Sequence, residues 1–150
     1  MQAEREEHKM TLEEILHYRN KMNPFAQMLH METVELREGY ARAVMPVGDE
    51  LRNPQGAVHG GVLYTLADVA GGNAAASHGE WIATLDADFH YLRPALKLTS
   101  LTAEAVELKY GKRVCVYDVK VCDQSGTVLA AGTFTYASLG RKIEPMGEST

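Results

Sequence analysis

The sequence predicts an α+β domain in which an antiparallel β-sheet wraps around one central α-helix. Residues 61–77 are helical in length and nearly free of charge, with apolar or small residues all round, so this helix should be buried on every side. The segments on either side of it carry apolar and polar residues at period two, the signature of strands. No long helix separates the four β-like segments that follow, so their sheet is antiparallel. The apolar face of such a sheet needs a cover, and the 61–77 helix is its best candidate.

Taken in order, residues 1–10 are charged and expected to fray. Thr11-Leu12-Glu13-Glu14 matches a capping box, and Leu12, Ile15, Leu16 and Arg19 continue at helical spacing to about Met22. Asn23-Pro24 ends that helix. Residues 31–47 read as two strands around Glu38-Gly39, anchored by Val34, Leu36, Val44 and Val47. A turn-rich loop fills residues 48–56. In the helix, Gly71-Gly72 costs roughly 1 kcal/mol per glycine relative to alanine, so something should approach closely there, either the sheet or a partner helix. Beyond Gly79, Ala83, Leu85, Ala87, Phe89 and Tyr91 fall on one strand face, with Thr84, Asp86, Asp88 and His90 on the other. Further strands are expected over 98–108, 113–122 and 127–138, turning at Tyr110-Gly111-Lys112 and at Asp123-Gln124-Ser125-Gly126. The division that follows is a tail and short helix over 1–24, one domain over 25–140, and a tail over 141–150.

Composition narrows the function. The chain has 150 residues, 45% hydrophobic and 23% charged, a balance that suits one soluble globular domain. A net charge of −5 argues against nucleic acid as a partner, because phosphate binding needs a basic field. Cys115 and Cys122 share one strand-like run, about 23 Å apart if it is extended, too far for a disulfide. Two unpaired thiols fit a reducing compartment, and neither a signal-peptide pattern nor a membrane span is present, so a cytoplasmic location without membrane attachment is expected. The six histidines show no metal-ligand spacing, and neither a metal nor a cofactor is expected.

The chemistry concentrates on Asp68, a carboxylate in the middle of the apolar helix. Burying it is costly without partners. A structural role, bonded to a backbone amide or to Arg52, competes with a functional one, a carboxylate held in a dry site to activate water or attack a carbonyl. Directly before the helix lies Val58-His59-Gly60-Gly61. Free N–H groups at a helix start can hold an oxyanion, and glycines let a ligand approach the backbone. His59 by itself reads more readily as a capping or packing residue than as a catalyst.

Together, Asn53-Pro54-Gln55-Gly56-Ala57-Val58-His59-Gly60-Gly61 and Asp68 resemble the motif of the hotdog-fold thioesterases, in particular the phenylacetic-acid-pathway (PaaI-like) family. The run from Leu85 through Arg93-Pro94-Ala95 is similar to the strand of that family that ends in an Arg-Pro-Ala-like turn. The resemblance covers roughly residues 25–140 and implies a hotdog fold and hydrolysis of an acyl-CoA thioester to free acid and CoA. It implies that the Gly60 N–H, helped by the Asn53 side chain within the His59-Gly60-Gly61 loop, polarises the carbonyl. Asp68 is then the nucleophile or the general base, both being open. Thr84 stands where relatives carry a Ser or Thr that places the water. The period-two alternation instead puts Thr84 on the polar face, away from the helix, where it contributes only near a subunit seam.

Spacing adds a constraint of its own. Asp68 lies seven residues beyond Gly61, roughly 10 Å along a helix, whereas a catalytic group must come within about 3–3.5 Å of the reacting atom. Two antiparallel helices across a twofold axis would bring each Asp68 to the other chain's glycines, so a homodimer or a homotetramer of paired dimers is expected. Arg93, Lys112 and Arg113 are the basic candidates for the CoA phosphates, with solvated surface charge as the bland alternative. Tyr64, Leu63 and Trp81 are candidates for the acyl pocket or for plain core. The competing functions are a hotdog hydratase or dehydratase and a non-catalytic acyl-CoA sensor. The first is disfavoured because residue 73 is Asn and no His follows Asp68 before His78; the second lacks a DNA-binding segment.

Overall fold

The computed structural model describes residues 9–144; residues 1–8 of the segment expected to fray, 1–10, and the end of the C-terminal tail, 145–150, lie outside the described residues, whereas Met10 of that segment is buried in the fold. Helix α1 (Leu12–Lys21) begins with the capping box: the Thr11 hydroxyl accepts the Glu14 N–H at 3.1 Å, and the Glu14 carboxylate accepts the Thr11 N–H at 3.2 Å. Asn23-Pro24 does more than end this helix. The Asn23 side chain accepts the Ala26 N–H at 3.1 Å and starts a second short helix, α2 (Pro24–Met28), with proline in its first turn.

A hairpin of β1 (Glu32–Arg37) and β2 (Tyr40–Pro46) follows, then a 3₁₀ turn at Asp49–Leu51, then the long helix α3 (Gly60–Ala76). Strands β3 (Glu80–Tyr91), β4 (Ser100–Tyr110), β5 (Val114–Asp123) and β6 (Val128–Lys142) follow. All six strands form one antiparallel sheet in the order β1-β2-β4-β5-β6-β3. The sheet curls around α3, as the sequence predicts, and β3 is an edge strand.

The helix sits on a floor of small side chains. Ala41, Ala43, Ala103 and Ala105 are fully buried and face Leu63, Leu66, Ala67, Ala70 and Ala74 of α3. Alanines bring helix and sheet close together. This corrects the strand anchors chosen from the sequence. In β2 the inward residues are Ala41, Ala43 and Met45, and Val44 faces outward. In β1 a register shift between Thr33 and Glu35 throws Val34 out to solvent and turns Thr33 in. Larger residues on this floor would not fit, since overpacking costs about 1–3 kcal/mol.

A second shift lies in β3 between Thr84 and Asp86. Strict alternation fails at this bulge: Leu85 is exposed, and Thr84 shares the helix-facing side with Ala87 and Phe89. The expected placement of Thr84 on the polar face is therefore overturned.

The two ends of the domain meet in a smaller apolar cluster. Met10, Ile15, Ala76 and Ile143 are buried together, with Tyr18, Trp81 and Ile82 packed against them. The Ile143 N–H also donates to the Gly79 carbonyl at 2.8 Å. Cys115 and Cys122 are both free thiols.

Candidate active site

Asp68 projects from the middle of α3 toward β3 and β6. Its Oδ1 accepts two hydroxyl hydrogen bonds, from Thr84 at 2.9 Å and from Tyr136 at 3.0 Å. The Tyr136 proton is shared with the Asp68 backbone carbonyl, 3.2 Å away. Among the described residues Oδ2 accepts no hydrogen bond, so this half-buried carboxylate keeps one oxygen open. Arg52 is not its partner. That guanidinium pairs with Asp49 at 3.0 Å and donates to the Gly56 carbonyl at 3.1 Å, bracing the loop instead.

The loop prepares a different kind of group. The Asn53 Oδ1 accepts the Gln55 and Ala57 N–H groups at 3.0 and 3.1 Å, an arrangement that fixes the amide and leaves its NH₂ pointing away from those bonds. His59 caps α3: its Nδ1 accepts the Gly61 N–H at 2.9 Å, so its own proton is on Nε2 and the Gly61 donor is used up. The Gly60 N–H has no acceptor among the described residues. Gly60 N–H and the Asn53 amide are thus open donors of this loop, beside the His59 Nε2–H. Tyr91 donates to the Gly60 carbonyl at 2.8 Å and lies across the space a Cβ would need, 3.1 Å from its ring.

These two candidate groups are apart within one chain. Gly60 is held against Tyr91 near one end of β3, and Asp68 against Thr84 nearer the other. Eight residues of helix separate them, about 12 Å along the axis. The basic candidates divide in the same way. Arg93, which donates to the Val128 carbonyl at 2.7 Å, lies just beyond Tyr91 at the Gly60 end. Lys112 and Arg113 form the exposed turn between β4 and β5, beside Ser138 and hence Ile82 at the opposite end, roughly 30 Å away along the strands.

Tyr64 packs edge-on to Phe89 at 5.6 Å and against Phe134 at 5.3 Å, one turn before Asp68 on the same face of α3. Leu63 is core. Trp81 stacks edge-on to Tyr18 of α1 at 5.9 Å, with Arg19 over its ring.

Sequence reading missed two polar features here. One is Tyr136, fully buried yet bonded to Asp68; burial is the main cause that drives its pKa far up, with Asp68 adding to it, so its hydroxyl stays a donor. Nothing in the period-two pattern of β6 distinguishes it from a core aromatic. The other is a buried chain in which Arg19 Nε donates to Asn73 at 2.7 Å and Asn73 donates to Thr33 at 2.7 Å. Burial lowers the Arg19 pKa, and the nearby Asp68 charge opposes that. Asn73, at the position where a hydratase would need its histidine, is committed to this structural bond. Among the described residues no group of three or more His, Cys, Asp or Glu could hold a metal ion. No described helix is long and apolar enough to cross a membrane.

A sequence profile of the thioesterase superfamily matches residues 55–130, from the loop to the start of β6. The chain belongs to that superfamily. It is 31% identical over 105 residues to the acyl-coenzyme A thioesterase PaaI of Escherichia coli K12, covering 70% of this chain and 75% of that one. The structure of the E. coli PaaI protein from the phenylacetic acid degradation operon superposes with a TM-score of 0.85 at 27% identity, over 89% of this chain and 96% of that one. The Streptococcus mutans protein smu.793, solved with acetyl CoA bound, superposes with a TM-score of 0.71 at 27% identity, over 75% of this chain and 91% of that one. The fold is the hotdog, and the protein is a PaaI-like thioester hydrolase.

Proposed function

We propose that the protein hydrolyses acyl-CoA thioesters to free acid and CoA at sites shared between two copies of the chain. The observation that carries this reading is the separation just described: an open carboxylate oxygen and an open N–H donor face the same strand, about 12 Å apart on one helix. Each is half a site. Strand β3 lies at the edge of the sheet with Leu85 and Tyr91 exposed along it and Leu92 exposed just beyond its end, a surface suited to a second copy. An antiparallel pairing of two such edges brings Asp68 of one copy to Gly60 of the other. It also brings Arg93 of one copy toward Lys112 and Arg113 of the other, gathering the positive charge that CoA phosphates need.

In such a site Gly60 N–H and the Asn53 amide donate to the thioester carbonyl and to the oxyanion that forms from it. Asp68 Oδ2 either takes a proton from water as that water attacks the carbonyl carbon, or attacks it directly to give an acyl-enzyme that water then hydrolyses. Thr84, bonded to the other oxygen, orients the carboxylate. In both routes the C–S bond breaks, and the CoA sulfur leaves and is protonated. His59 acts through the Gly61 N–H it caps. Tyr64 with Phe89 lines the acyl side. The two free thiols, both with pKa raised chiefly by burial, fit a cytoplasmic enzyme.

The test combines two inactive variants. Asp68→Ala and Asn53→Ala each remove one component from every site. After joint unfolding and refolding, half the dimers are mixed; in each, one site carries both defects and the other carries none. Thiol release from an acyl-CoA panel should then recover to roughly a quarter of wild type, the statistical limit for isologous pairing. Mixed dimers confirmed by a tagged pull-down but silent in the assay would exclude the shared site.

A further inference from the structure

We propose that Tyr136, admitted by Gly71, is a positioning residue that decides which oxygen of Asp68 does the chemistry. The inference rests on the reading of Asp68 as the catalytic carboxylate. An aspartate χ2 torsion is broad and roughly twofold, so an unsupported carboxylate exchanges its two oxygens. Here both hydroxyls, Thr84 from β3 and Tyr136 from β6, converge on the same oxygen, Oδ1, and leave Oδ2 as the open one. Thr84 alone would fix a point. Two donors from adjacent strands fix an orientation.

The tyrosine reaches Asp68 only because residue 71 has no side chain. A Cβ there would lie 3.0 Å from Tyr136 Cζ and closer still to its hydroxyl. Gly71 is inside a helix and buried, where glycine costs stability relative to alanine. Its φ is not in the left-handed region, so backbone conformation does not require it. The space does. The rest of the ring is locked as well: Tyr136 is fully buried between Tyr117 at 5.9 Å and Phe134 at 6.5 Å, so its hydroxyl cannot swing away. Neither Tyr136 nor its proton is consumed in the reaction; its strongly raised pKa keeps that proton in place.

The experiment uses the full chain and compares kcat with KM. Tyr136→Phe removes only the hydroxyl, and kcat should fall about tenfold while KM stays within about twofold, because the substrate contacts are untouched. Gly71→Ala reaches the same bond from the helix side and should reproduce that split. In the Tyr136→Phe background, Gly71→Ala should cost little further kcat, since the bond it disturbs is already gone. A merely structural tyrosine predicts a lower melting temperature with kcat of the folded enzyme unchanged, and that result in either folded variant overturns the proposal. Asp68→Asn, assayed alongside, separates the two ideas. If it retains activity, the catalytic reading itself is wrong; if it is dead and both positioning variants turn over at the wild-type rate, only the role of Tyr136 is wrong.

Discussion

Among the described residues two carboxylates are held by buried tyrosines, and their other partners differ. Asp68 receives Tyr136 at 3.0 Å; Glu107 receives Tyr117 at 2.7 Å. The tyrosines are neighbours on adjacent strands, both fully buried, and both have their pKa driven far up by burial first and their carboxylate second. The difference is in what else faces each acid. Glu107 bonds the His78 imidazole at 2.6 Å, that ring stacks on Tyr110 at 3.6 Å, and its other nitrogen is 3.5 Å from Glu38. Both bonds fall on Oε1, so Glu107 too keeps a second oxygen without a hydrogen bond among the described residues; what sets it apart is a bonded group at the end of α3 that is able to carry the opposite charge. Asp68 has only hydroxyls on one oxygen and an open second oxygen beside an edge strand. The same tyrosine-to-carboxylate bond thus joins an acid–imidazole pair in one place and, in the other, an acid whose hydrogen-bond partners are hydroxyls alone.

Exchanging each acid for its amide tests that contrast most sharply. Asp68→Asn should lower kcat by roughly 10²–10⁴-fold, the range of a lost general base, with thermal stability unchanged or raised. Glu107→Gln should leave kcat within about twofold. A Glu107→Gln enzyme as dead as Asp68→Asn would erase the distinction. Deleting the hydroxyls is milder: Tyr117→Phe should change kcat less than twofold, against the tenfold loss expected at Tyr136, and steady-state thiol release on both proteins decides it. Glu107→Gln should instead show its effect in denaturation, losing about 1–3 kcal/mol because His78 and Tyr117 are left with a weaker partner. The smallest expected signal comes from Cys115, a buried thiol with its pKa raised by burial, on the strand that separates the two clusters. Its alkylation at neutral pH should stay slow in Asp68→Asn and quicken in Glu107→Gln, where packing is loosened; mass spectrometry of the labelled peptide reads this directly.

Local rules in the sequence were enough for the framework. The capping box at Thr11, the uniformly apolar stretch that became α3, and the period-two runs with their turn residues each depend on neighbours within a few positions. Asp68 was legible for a related reason: a lone charge among apolar helix positions is anomalous wherever the chain folds. The motif from Asn53 to Gly61 was legible as spacing, and its glycines stand next to one open N–H. Tertiary structure decided the rest. A bulge needs a partner strand to be defined, so the alternation could not reveal that Thr84 turns inward to Asp68. The Val34 and Val44 anchors failed because the closeness of α3 to the sheet, which favours alanines on the floor, is set by packing rather than by any strand's own preference. Tyr136 reads as an ordinary core aromatic in β6 until Gly71, sixty-five positions earlier, opens the space for its hydroxyl. Burial, hydrogen-bond partners and which oxygen stays free are properties of pairs distant in the chain, and only folding brings those pairs together.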